Sequence, residues 1–249
     1  MAKQTGLIKL KGKIGDLSFY KTKDGHLARE KGGVDAERIA RDPAFVRTRE
    51  NGAEFGSSAS AGKLMRDALR PLIMRAADGR VTARLTKVMT LIKNLDATSA
   101  RGDRNVGVAI ASPAAKELLK GFNFNNRSIL GSVLFKPFTV NTATGEVSIL
   151  GFVPTNELAA PAGATHVSLR AAWAKIDFAQ GLKEVEVSAP FNGPIDATQV
   201  DITLTPPQAP AGSGTDVYLL MIEFFQEVNG VQYVLNNGQY NALSIVEVN

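Results

Sequence analysis

Val217-Tyr218-Leu219-Leu220-Met221-Ile222-Glu223-Phe224-Phe225-Gln226-Glu227-Val228-Asn229-Gly230-Val231 is the stretch that decides the fold class. Its apolar part, Val217 to Ile222, has the length of a strand and falls far short of the roughly 20 apolar residues that span a membrane. Asn229-Gly230, flanked by Val228 and Val231, predicts a type I′ hairpin turn, because both central residues of that turn need positive φ. Before it, apolar and polar residues alternate in Lys183-Glu184-Val185-Glu186-Val187 and in Val200-Asp201-Ile202-Thr203-Leu204, each with one apolar face. Residues 147–153, 167–178, 231–235 and 242–248 read as further strands. Pro206, Pro207, Pro210, Gly212 and Gly214 mark a surface loop. Seven or more strands separated by Pro, Gly and Asn predict an antiparallel β-sandwich, Ig-like or jelly-roll-like, over residues 128–249.

Upstream the period changes. Val81, Leu85, Val88, Ile92 and Leu95 recur at helical spacing, with Arg80, Arg84, Lys87 and Asn94 to the outside. Asp42-Pro43 reads as a helix start, since Asp caps free amides and Pro fits the first helical position. From Phe45 to Leu72 the pattern predicts one long helix, or two joined near Ser57-Ser58. Gly52, Gly56 and Ser60 fall at four-residue spacing. A glycine inside a helix costs about 1 kcal/mol relative to alanine, so this stripe predicts either close approach of another backbone or a broken helix with a loop over residues 56–62. Residues 6–33 read as a small β unit, with Leu17-Ser18-Phe19-Tyr20 turning at Lys23-Asp24-Gly25 into a return strand from His26 to Arg29. The expected class is α+β in three parts: a basic β-hairpin arm over 1–33, an α-helical region over 34–127, and the sandwich over 128–249.

The chain has no Cys and only two His, His26 and His166. That removes disulfides, thiolate metal sites and cysteine nucleophiles, and leaves too little imidazole for a His-rich metal site. No phosphate loop, dinucleotide fingerprint, His-Glu-x-x-His or Gly-x-Ser-x-Gly is present. Glu184 and Glu186 lie on the outward face of a strand, where solvation explains them without glycosidase chemistry. Gly12-Lys13-Ile14-Gly15 has the spacing of a KH loop but sits between β-like runs, where that loop joins helices. Trp173 reads as a core or near-core residue. The expectation is a non-enzymatic protein with no catalytic, metal-binding or cofactor-binding residues. The first residues contain no apolar leader, so cytoplasmic synthesis is expected, with a particle or an extracellular filament as a final location.

Charge is segregated along the chain. Residues 1–136 carry 26 Lys and Arg against 13 Asp and Glu, a net of +13; residues 137–249 carry 3 against 11, a net of −8. Opposite signs on one molecule predict head-to-tail docking of one copy on another, with charge complementarity setting the register. Thr5 to Leu10, short and β-prone, is a candidate for strand addition to a neighbour's open sheet edge. The candidate assembly residues are Leu7, Ile8, Lys9, Leu10, Lys11, Lys13, Arg47, Arg49, Gly52 and Gly56 on the basic side, with Glu184, Glu186 and Asp201 on the acidic side. The alternative partner is nucleic acid, whose phosphates Lys21, Lys23, Arg66, Arg70, Arg80 and Arg84 would neutralise. Aromatic residues suited to base stacking are few in this half, and its 13 acidic residues interrupt the positive field. Self-assembly is the favoured reading.

Gly12-Lys13-Ile14-Gly15-Asp16-Leu17-Ser18-Phe19-Tyr20, then Gly25, Arg29 and Lys31, then Phe45-Val46-Arg47-Thr48-Arg49-Glu50-Asn51, resembles a group of uncharacterised proteins common in Bacteroidota. The resemblance covers residues 6–75. It implies no activity and no site residues, and it agrees with a structural or phage-like role. The expected function is therefore a self-assembling structural subunit of a filament, tube or virion-like assembly.

Overall fold

The computed structural model describes residues 2–30, 32–76 and 78–249; Met1, Lys31 and Ala77 lie outside the described residues. The chain is α+β and divides into two compact units, residues 1–49 and 50–249. In chain order its elements are β1 (Ala2–Lys3), β2 (Gly12–Ile14), β3 (Leu17–Thr22), β4 (Gly25–Glu30), α1 (Ala36–Arg41), a 3₁₀ turn (Pro43–Phe45), α2 (Val46–Ala68), α3 (Arg70–Ile73), α4 (Val81–Lys93), α5 (Val106–Ala109), α6 (Pro113–Leu119) and α7 (Leu130–Val133). There follow β5 (Thr139–Asn141), β6 (Glu146–Phe152), α8 (Pro154–Glu157), β7 (His166–Asp177), β8 (Leu182–Val187), β9 (Phe191–Pro194), β10 (Val200–Leu204), β11 (Thr215–Val228), β12 (Val231–Val234), a 3₁₀ turn (Leu235–Gly238) and β13 (Ala242–Val248).

In the first unit, four antiparallel strands lie in the order β1-β4-β3-β2. Thr22 faces Gly25 across the predicted turn, and Gly25 takes φ +113°, a conformation that favours glycine. The Leu7–Leu10 run, expected as β, forms no strand: residues 6–8 are a bend, and β2 begins only at Gly12. Asp42 caps as its Asp-Pro pairing predicts, accepting a hydrogen bond from the Ala44 amide at 2.9 Å with Pro43 in the first position. No described side chain of residues 2–49 is buried.

The second unit contains two apolar cores, one on each face of a curled six-stranded antiparallel sheet. β7 and β11 are its central pair, in register from Thr215 opposite Ile176 to Phe225 opposite His166. β8 and β9 follow one another along the outer side of β7, and β13 and β12 along that of β11. Ala172, Ala174, Val217, Leu219 and Met221 pack with Met65 of α2, with Leu69 just after it, and with Leu85, Met89 and Ile92 of α4. Their sequence neighbours Leu169, Ala171, Leu220, Ile222 and Phe224 pack with Val147, Ile149, Phe152, Ile202 and Leu204 of a three-stranded sheet ordered β10-β6-β5. The run from Leu219 to Ile222 is unbroken because neither face of β11 meets water there. Because helices and sheet share one core, the change of periodicity near residue 127 is a change of element type inside this unit.

α2 runs unbroken through Ser57 and Ser58. Ser58 is buried, and its hydroxyl donates to the Glu54 carbonyl at 3.0 Å, which satisfies it within the helix. Glu54 is itself buried. Its carboxylate meets the Lys93 ammonium and accepts the Gly102 amide at 2.9 Å, and these two partners hold its pKa below the usual value. Asp96, also buried, organises the following loop. Hydrogen bonds from Ser99, Asn105 and Thr98 hold its carboxyl well below the ordinary range, against the opposing effect of burial. Both groups bind their protons more weakly folded than unfolded. Their stabilisation is therefore complete above the unfolded values of about 4 and is lost as pH falls through the folded ones. Urea unfolding at a series of pH values should show stability falling below about pH 4, with Asp96→Asn reducing that slope.

Three residues in succession, Asn236, Asn237 and Gly238, take positive φ in the turn before β13. A Cβ on Gly238 would lie 2.2 Å from the Arg75 carbonyl oxygen, which also accepts the Asn241 side-chain amide at 2.9 Å. Gly238→Ala is expected to lower stability by about 2–3 kcal/mol, read from thermal unfolding, because strain and the clash add.

Candidate assembly interface

The first unit places its apolar side chains outward. Leu7 and Ile8 are 104% and 82% exposed, at the tip of a loop. The Gln4 side chain closes that loop: its carbonyl oxygen accepts the Leu10 amide at 2.8 Å, and its NH₂ donates to the Leu10 and Leu27 carbonyls. Lys9 donates to the Gln4 main-chain carbonyl. Across the sheet, Ile14 faces Leu17 and Phe19 faces both Gly12 and Ala28, which puts Ile14, Leu17, Phe19 and Ala28 on one face, with Glu30 opposite Leu17 and Lys21 opposite His26 at its margins. Ile14 and Leu17 are exposed, and Phe19 and Ala28 half-buried. Lys11 and Lys13 are exposed beside them, as is Lys21 on β3; Lys23 sits in the hairpin turn.

The other candidates have varied fates. Arg47 is exposed at the start of α2. Arg49 is engaged within its own unit, donating to the Ile39 and Asp42 carbonyls at 2.7 and 3.0 Å. Gly52 and Gly56 lie on an exposed face of α2, with nothing within 4 Å of the position of a Cβ. The close approach predicted for them occurs instead at Gly62, where a Cβ would meet Met89 and Leu85 at 3.6 and 3.7 Å. Phe55, on the same helix, is 59% exposed. Asp201 accepts the Gly151 amide at 2.6 Å and so ties β10 to β6. Glu184 and Glu186 lie on β8, at the open edge of the six-stranded sheet.

Among the candidate phosphate contacts, Arg70 and Arg80 are exposed and Arg66 is half-buried. Arg84 is committed internally: it pairs with Asp78, donates to the Asn123 and Phe124 carbonyls, and stacks 5.1 Å above the Phe122 ring. Trp173 is core, with its Nε1 donating to Asp216 at 2.7 Å.

Charge is distributed differently from its order along the chain. Arg75 pairs with Glu223, Lys120 with Glu247 and Lys136 with Glu157, so the basic and acidic halves are partly joined inside one copy. Counted by structural unit, residues 1–49 carry 12 Lys and Arg against 6 Asp and Glu, a net of +6; residues 50–249 carry 17 against 18, a net of −1. The surplus positive charge belongs to the first unit.

Sequence reading missed Gln4 and Glu223. Glu223 carries a signal, a carboxylate inside an apolar run; it is buried between Arg75 and Arg170. Gln4 carries none, because its role depends on meeting Leu10 and Leu27. Among the described residues no three His, Asp or Glu converge as a metal site, and no helix is long and apolar enough to cross a membrane. No protein-family model, curated protein or solved structure matches this chain.

Proposed function

We propose that this chain is a non-enzymatic structural subunit that assembles with copies of itself through its first 49 residues. One observation carries the reading: this unit has an apolar patch on one sheet face and an aliphatic loop tip, yet buries none of its described side chains. A small sheet gains its stability from a covered apolar face, and burial is worth about 25 cal/mol per Å². A second copy supplies that cover, and the +6 charge of the unit orients the approach toward acidic surface. Because donor and acceptor surfaces differ, the contact is heterologous and closes into a ring or propagates as a filament or tube, as in a virion-like particle. We also read the two facing sheets of the second unit as an open sandwich of the Ig-like or jelly-roll-like class, supported by their shared core from Val147 to Phe224.

Sedimentation velocity and negative-stain microscopy of the full chain test this. Concentration-dependent rings, tubes or filaments are expected. A monomer at high concentration refutes it. The exposed lysines of the first unit favour nucleic acid as the second reading. Its test is the ratio of absorbance at 260 to 280 nm before and after a high-salt wash, which that reading alone expects to fall.

A further inference from the structure

We infer that residues 8–11 of one copy add as an antiparallel strand to the β8 edge of the next, with Lys9 opposite Glu186 and Lys11 opposite Glu184. This rests on the self-assembly reading and names its contact. β8 is bonded to β7 on one side, and no strand lies on its other side among the described residues. Its residues alternate: Val185 and Val187 turn toward the core shared with the helices and are only half-buried, while Glu184 and Glu186 turn the other way. The loop segment has the same period, with Ile8 and Leu10 alternating with Lys9 and Lys11. An antiparallel register that sets Lys9 against Glu186 also sets Lys11 against Glu184, Ile8 against Val187 and Leu10 against Val185. All four cross-strand pairs then match in kind.

Slipping by one residue would oppose lysine to valine and isoleucine to glutamate, so the register is self-specifying. The neighbouring charges leave the edge acidic. Lys175, opposite Glu184 on β7, is turned to Asp216 at 3.5 Å, and Gln208 donates to Glu186 at 2.7 Å, a neutral contact. Lys183 is the one cation on β8 itself. The added strand extends the rim of the helix-sheet core by two aliphatic side chains that are otherwise in water. Gln4 acts against the transfer, because its amide occupies both the N–H and the C=O of Leu10, the groups that an added strand presents to its acceptor.

The test uses two full-length variants, Lys9→Glu/Lys11→Glu and Glu184→Lys/Glu186→Lys, each checked for unchanged circular dichroism. Each alone opposes like charges and is expected to raise the concentration at which assembly begins by on the order of tenfold or more. Mixed in equal amounts, they are expected to restore assembly, since each arm then meets an edge of opposite sign. Gln4→Ala is expected to lower the onset concentration of the otherwise unaltered chain. If the unaltered chain stays monomeric, the self-assembly reading and this contact both fall. If the chain assembles but the variants do so equally well, or lose assembly without recovering it in the mixture, the β8 contact alone falls. Assembly that begins only on adding an oligonucleotide overturns the contact in favour of a polyanion bridge.

Discussion

Replacing Ile8 and Leu10 together by Asp is expected to abolish assembly while leaving the thermal unfolding of the chain unchanged. The two halves of that result have separate causes. Both side chains are exposed, and no core residue packs on them, so the fold of a single copy loses nothing with them. On docking, each aliphatic side chain contributes about 1.5–3 kcal/mol by leaving water. Removing both therefore weakens association by roughly 3–6 kcal/mol, a factor on the order of 10² or more, and a buried carboxylate adds to the loss. Sedimentation velocity reads the association, and circular dichroism on heating reads the fold. Assembly unchanged in the double variant would show that this segment is not the anchor. A lowered melting temperature would show that the segment serves the fold of one copy.

Lys93→Met is expected to destabilise the chain by about 3–5 kcal/mol, because it leaves the Glu54 carboxylate buried without its cation. The pair joins the middle of α2 to the end of α4, and the same carboxylate receives the Gly102 amide. Glu54→Gln/Lys93→Met removes the buried charge but keeps an acceptor for Gly102. It is expected to recover roughly half of the loss or more, since a neutral amide is far cheaper to bury than an unpaired carboxylate. Urea unfolding of both variants measures this. Equal losses in the two would mean that lost packing of the lysine stem, rather than the stranded charge, dominates.

These two outcomes separate the units by what each lacks. The second unit holds two apolar cores, and its buried Glu54, Asp96 and Glu223 are engaged by cations or donors, while its β8 edge is left open. The first is open, and its charge and its exposed aliphatic residues lie close together in the sequence. That contrast favours residues 8–11 over the arginines of the helices as the proposed contact. Arg84 is the clearest case, since its guanidinium is held by Asp78 and two carbonyls before any partner arrives.

Much of the fold was legible in local patterns. The Asn229-Gly230 turn, the Asp42-Pro43 cap, the alternation at 183–187 and 200–204, and the stripe beginning at Val81 and Leu85 each depend on residues within a few positions of one another. Such signals survive in a single sequence. The unbroken run at 219–222 also carried its meaning, burial on both faces, although what lay on each face was not written there. Part of the candidate site was legible too, because exposed lysines alternating with aliphatic residues form a local pattern.

Sequence alone determined the types of the longer elements, the charge surplus at the start of the chain, and the absence of thiol chemistry, all of which follow from composition and short-range spacing. Tertiary structure decided which charges were free and which were engaged. Arg75 finds Glu223 across 148 positions, Gly62 rather than Gly52 or Gly56 meets a neighbouring helix, and β8 is left at the edge of its sheet. No periodicity encodes those outcomes, because each depends on which surfaces the packed cores turn toward one another and which they leave in water.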